Sequence, residues 1–278
     1  MEEATEARGE ARYPGPRSIL RYLRIEQQNN EDGTVWARFP ALPDLLDEGG
    51  FLRLGALAPM CDLVAGSLAS VAVDPDWVAT SDFKLHLAKP VTSGHVEAVC
   101  RPLRVGKNMV LSETRLRDDE GDNAGLAVVT FNRLPRRAGQ PANMAQKTGH
   151  MRLRSKVEER RIPFDEYLGL RFQKDAAVIE LDHHERIYNS FGSIQGGGMG
   201  SLLERAVSYA GYRLWKNPAR TIDIHFSYTA QAREGPFRIE AEVIRAGKDD
   251  ILCRVQLSDL GLEGRIAAIG TGIAVRID

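Results

Sequence analysis

The chain repeats itself, and the length of the repeat limits the folds open to it. Residues 47–66 (DEGGFLRLGALAPMCDLVAG) lie over residues 189–208 (NSFGSIQGGGMGSLLERAVS) at a spacing of 142, pairing Gly50 with Gly192, Gly55 with Gly197 and Asp62 with Glu204. Further on, Thr80-Ser81-Asp82 pairs with Thr221-Ile222-Asp223, Gly94 with Gly235, and RVGK at 104–107 with RAGK at 245–248, all at a spacing of 141. One deletion separates the two registers. Solenoid repeats have periods of roughly 20–50 residues, so a period this long is a whole domain copied. The 278 residues therefore make two domains of ordinary size. The expected division is a flexible tail at 1–19, domain one at 20–134, a polar, basic linker at 135–160 and domain two at 161–278. The tail mixes both charges, carries two prolines and lacks the apolar run of a secretory signal.

Both copies follow one order. A short extended stretch (34–40 and 176–182) leads through a Gly-bearing loop into an apolar helix (55–73 and 195–214). Alternating or β-branched runs follow at 77–88, 95–103, 108–117 and 125–134, and again at 221–230, 236–244, 250–258 and 265–276, with turn residues between them. One long helix followed by four strands joined by tight turns predicts an α+β domain, an antiparallel sheet with the helix on one face. The segment 55–73 is apolar enough to raise a membrane span, but it holds Asp62 near its middle and Pro59. A mid-span carboxylate costs ~2.5 kcal/mol or more, which favours a helix buried inside the domain.

Asp62 and Glu204 occupy equivalent places on helices that otherwise read as core, and burying an ion without partners costs several kcal/mol. A structural salt bridge is the bland explanation for one such residue. Retention in both copies shifts the balance toward a general base or nucleophile in a pocket. The second copy opens its helix with Gln195-Gly196-Gly197-Gly198, where the absence of side chains lets a ligand approach N–H groups at the positive end of the helix dipole. Asn189 and Gln195 stand beside it as neutral amides, residues that more often cap loops.

With Asn189, Gly192, Gln195-Gly196-Gly197 and Glu204 followed by Thr221-Ile222-Asp223, the second copy resembles the hotdog-fold acyl-CoA thioesterases of the phenylacetate-pathway (PaaI-like) and 4-hydroxybenzoyl-CoA types. The resemblance implies a tandem, or double, hotdog in which the two copies form an internal pseudo-dimer. It further implies that an Asn or Gln and the first glycine amide polarise a thioester carbonyl, that the helix carboxylate activates water or attacks, and that a Ser or Thr assists. Two positions depart from the family pattern: Gln195 stands where His is common, and the first copy has Asp47, Arg53 and Leu54 in place of Asn189, Gln195 and Gly196. Gly196 and Glu204 are eight residues apart on one helix, ~12 Å along its axis, too far to touch one carbon. Each site must then be shared between two antiparallel helices. Site one joins Asn189, Gln195 and the Gly196 amide to Asp62 and Thr80. Site two joins Glu204, Ser208 and Thr221 to the Leu54 and Gly55 amides, with Asp47 as a second anion expected to oppose an oxyanion and weaken the site.

Thirty-seven Lys and Arg against 38 Asp and Glu leave no field to recruit nucleic acid or an anionic membrane, so the expected partner is a small molecule, an acyl-CoA under the resemblance. Association of copies through the outer sheet faces is also open. Three distant cysteines predict reduced thiols and a cytoplasmic location. The six histidines lack metal-ligand spacing, and no Walker loop or Gly-x-Ser-x-Gly elbow is present, so neither a metal nor a cofactor is expected; CoA enters only as part of the substrate. Related hotdog dehydratases need a catalytic His, and the loop 185–195 contains none. The rival reading is a non-catalytic acyl-CoA binding or sensing protein.

Overall fold

The computed structural model describes residues 14–139, 143, 145–153 and 162–277; residues 1–13 of the expected tail, and 140–142, 144 and 154–160 of the expected linker, lie outside the described residues. The first half runs α1 (Ile19–Tyr22), β1 (Glu26–Asn29), β2 (Val35–Pro40), the long helix α2 (Leu54–Val73), β3 (Trp77–Leu87), β4 (His95–Val105), β5 (Met109–Arg117) and β6 (Asn123–Leu134). After β7 (Gly149–Arg152) the second half repeats the order as α3 (Phe164–Tyr167), β8 (Arg171–Phe172), β9 (Val178–Leu181), α4 (Gly196–Trp215), β10 (Ala219–Tyr228), β11 (Phe237–Ala246), β12 (Asp250–Asp259) and β13 (Arg265–Arg276).

Period-two alternation sets the faces of the strands: Val35, Ala37 and Phe39 of β2, and Ile251, Cys253, Val255 and Leu257 of β12, turn inward. Among the described residues the strands join one antiparallel sheet of thirteen, ordered β7-β1-β2-β4-β5-β6-β3-β10-β13-β12-β11-β9-β8. The halves meet where β3 pairs with β10, from Asp223 opposite His86 to Ser227 opposite Asp82. Phe83 and Phe226 touch beneath this seam, and His225 and Ser227 reach Asp82 above it, each at 2.9 Å. Duplication shows in the irregularities as well. β3 and β10 bulge at Thr80/Asp82 and Thr221/Asp223, and β4 and β11 at Pro102/Arg104 and Val243/Arg245. Gly50 and Gly192, at φ +78° and +69°, turn the two loops before the long helices in a conformation that side chains disfavour.

α2 and α4 run antiparallel and in contact on the inner face of the sheet. Gly55 lies against Ser201 and Glu204, Gly197 against Ala58 and Pro59, and Gly196 against Asp62, so the two chains advance in opposite directions. Small residues permit this approach: a Cβ on Gly197 would collide with the Ala58 carbonyl, and one on Gly200 would lie 2.9 Å from the Ala58 methyl. Pro59 brings no N–H to the carbonyl of Gly55 four residues back, and the Ser201 hydroxyl donates to that oxygen at 2.6 Å instead. α2 is long and apolar enough to span a membrane, yet 67% of its most apolar window is buried inside the protein.

Two boundaries differ from the sequence expectation. Gly149–Arg152, inside the expected linker, is the edge strand β7, tied to β1 through Glu26, which accepts from Arg152 at 2.9 Å and contacts His150 at 2.8 Å. Within the expected tail, Ser18 caps α1 and Ile19 is buried.

Candidate active site

Asp62 is the ninth of the twenty residues of α2, with its carboxyl group turned away from solvent. Its Oδ1 accepts the Thr80 hydroxyl at 2.9 Å, and the N–H of Gly197 at the start of α4 donates to the same carboxylate. Among the described residues it has no ion-pair partner, so the structural salt bridge that would make the residue unremarkable is missing. Burial raises its pKa to about 6, with the Gly197 amide and the Thr80 hydroxyl pulling the other way. The bulge in β3 presents Thr80, and Gly196 lies over both residues: a Cβ on Gly196 would be 2.7 Å from Asp62 Oδ1 and 2.8 Å from Thr80 Oγ1. Gln195 caps α4, its Oε1 accepting the Gly198 N–H at 3.0 Å. The Gln195 Nε2 and the Gly196 N–H find no protein acceptor among the described residues. These open donors and a buried carboxylate therefore converge where α4 begins, at the positive end of its dipole.

Asn189 is placed differently. Its Oδ1 accepts the N–H groups of Phe191 (2.9 Å) and Ser193 (3.2 Å), and its Nδ2 donates to the Ser193 hydroxyl at 3.0 Å. The carboxamide closes its own loop ahead of α4, with one of its two Nδ2 hydrogens on the Ser193 hydroxyl.

At the pseudo-symmetric position, Glu204 is equally buried, and its Oε2 lies 2.5 Å from a Cβ built on Gly55. Ser208 reaches Oε1 at 3.2 Å, but the Thr221 hydroxyl bonds to the Glu204 backbone carbonyl at 3.0 Å, not to the carboxylate. Leu54, fully buried, stands at the position that Gly196 holds in the other half. Burial pushes Glu204 up to about 7, opposed by the charges of Arg53 and Arg205, the latter held by Asp165 at 2.8 Å. A cavity of about 230 Å³ opens beside Ser208, walled by Phe172, Tyr209 and Tyr212. Asp47 does not face the site as a loose anion: one oxygen accepts the N–H groups of Gly49 and Phe51, and the other pairs with Arg220 at 2.6 Å.

The family model for the thioesterase superfamily matches the chain twice, over residues 49–124 and 191–263, together more than half of its length. The chain belongs to the thioesterase superfamily. Each match begins in the loop before a long helix and runs through that helix into the strands behind it, the part that carries the buried carboxylate. None of the curated proteins compared with the sequence matches it. Among solved structures, the fold is similar to the tesB protein of Mycobacterium avium subs paratuberculosis (TM-score 0.63, 10% identity, 87% of this chain and 93% of that one). It is similar also to an oleoyl thioesterase, provisionally so named, of Lactobacillus plantarum (0.61, 8%, 88% and 97%) and an acyl-ACP thioesterase of Bacteroides thetaiotaomicron (0.56, 13%, 89% and 99%). At such identities the likeness speaks for the double-hotdog fold alone.

The two halves of this thioesterase therefore differ at Leu54 and in the cations around Glu204, and Asp47 has a structural role. Removing Asp47 as Asp47→Ala leaves Arg220 and two loop amides unpaired in a buried place, where a broken pair costs about 3–5 kcal/mol. The urea midpoint of that variant is expected to fall accordingly, and an unchanged midpoint would contradict the pairing.

Proposed function

We propose that the chain hydrolyses the thioester of an acyl-CoA, and does so at site one. The observation that carries this reading is the buried Asp62 carboxylate, held by the Thr80 hydroxyl and the Gly197 amide with no cation, facing a helix start that has no side chain. A thioester carbonyl lying over Gly196 meets the free Gly196 N–H and the Gln195 Nε2, which stabilise the charge that develops on its oxygen. Asp62, in its ionised form, takes a proton from a water attacking the carbonyl carbon. The tetrahedral intermediate then collapses, the C–S bond breaks, and the proton passes to the departing thiolate, giving the free acid and CoA. Thr80 holds Oδ1 so that the second oxygen is turned toward the water.

Hydrolysis of a panel of aliphatic and aryl acyl-CoAs, read as free thiol, tests the activity, with the same acyl groups on acyl carrier protein run beside it. Saturable thiol release from the CoA esters supports the proposal. Tight binding without release identifies a binding protein, and release from the carrier-protein esters alone assigns a different thioester. Because the base must be ionised, kcat/KM is expected to rise with pH through about 6 and then level off. A profile flat from pH 5 to pH 8 would contradict a catalytic role for this carboxylate.

A further inference from the structure

Tyr228, the last residue of β10, donates its hydroxyl to the carbonyl oxygen of Gly196 at 2.7 Å. That carbonyl and the N–H of Gly197 belong to one peptide group, and this peptide lies against Asp62: a Cβ on Gly196 would stand 2.7 Å from Asp62 Oδ1, and the Gly197 N–H favours the charged carboxylate. Tyrosine, peptide and carboxylate thus form a continuous chain of three groups. A hydrogen bond received at a carbonyl polarises the peptide and strengthens the bond its N–H gives. The tyrosine ring packs on Phe226, which packs on Phe83 across the seam between the halves, so the hydroxyl is set by the rigid centre of the sheet. Burial and the carboxylates of Asp62 and Asp82 hold the phenol protonated, as a donor. In the other half the equivalent residue, 141 positions earlier, is Leu87, which carries no hydroxyl.

We infer that Tyr228 is a positioning residue of site one, fixing through the Gly196–Gly197 peptide both the orientation of the Asp62 carboxylate and the direction of the first amides of α4. The inference rests on the proposed role of Asp62 as base. Losing the hydroxyl weakens the Gly197 bond to the carboxylate, which disfavours its charged form.

The test uses Tyr228→Phe, which keeps the ring on Phe226, in the full chain with an acyl-CoA that the wild type hydrolyses. Turnover is expected to fall about 10-fold with KM changed less than about 2-fold, and the acid limb of kcat/KM to move to higher pH by about half a unit. Titration of the Asp62 carboxyl by carbon NMR reads the same shift without catalysis. An unmoved Asp62 titration in Tyr228→Phe overturns the inference, whatever happens to turnover, and so does a rise in KM at constant kcat. Asp62→Asn measured in parallel separates the two claims: if it retains turnover, the base assignment fails, while the NMR titration still decides for or against Tyr228. Tyr228→Leu, which installs the residue of the other half, is expected to reproduce the Tyr228→Phe shift.

Discussion

Asp62→Asn is expected to lower turnover by at least ~10²-fold and, above about pH 6, to make the folded chain more stable. The two effects have one cause. At neutral pH the protein keeps a charge in a place with a hydroxyl and an amide but no counter-ion, an arrangement that serves chemistry at the expense of folding. Below its ordinary value of 3.8 the carboxyl group is protonated in folded and unfolded chains alike. Between 3.8 and about 6 the folded chain binds the more protons, so stability falls as pH rises, and the whole penalty is present above about 6. That penalty is on the order of 3 kcal/mol. Asparagine keeps the oxygen that accepts from Thr80 and Gly197, so the variant should gain on the order of 1–3 kcal/mol at pH 8 and nothing at pH 3. Urea unfolding at both pH values checks this. A loss of stability at pH 8 would mean that Asp62 is a structural anion.

Gly196→Ala is expected to reduce turnover by ~10²-fold or more, since a shift of about 1 Å in a reacting group can cost that much. The new methyl would stand 2.7 Å from Asp62 Oδ1 and 2.8 Å from Thr80 Oγ1, between the base and the position assigned to the carbonyl. Leu54 shows what the fold does with a side chain at the equivalent position of the other half: it buries it completely. Gly196→Leu would make site one resemble site two, and is expected to abolish the chemistry. Circular dichroism melts separate this from misfolding. A Gly196→Ala variant with wild-type turnover would place the thioester elsewhere.

The duplicated domain and the long helices are legible in the sequence because each is written locally and written twice, and the meeting of Gly196 with Asp62 and Thr80 is expected only once the two helices are set antiparallel. A Gly-rich helix start and one acid in an apolar helix stand out against their surroundings. Partners distant in the chain leave no such mark. Asp47 and Arg220 are separated by 173 positions, and nothing near Asp47 signals that it is neutralised. Tyr228 reads as an ordinary strand residue until β10 is laid beside the start of α4. β1, β7 and β8 are short, and Gln, Asn and Arg dilute their alternation, so only sheet pairing reveals them.

That one of two look-alike sites carries the chemistry is tested most directly by thiol release from a single acyl-CoA with Asp62→Asn, Glu204→Gln and the double variant side by side. Turnover abolished by Asp62→Asn and nearly unchanged by Glu204→Gln is the predicted result. Losses of about half from each single change would show two working sites, and abolition by Glu204→Gln with survival of Asp62→Asn would place the reaction at the other end of the helix pair.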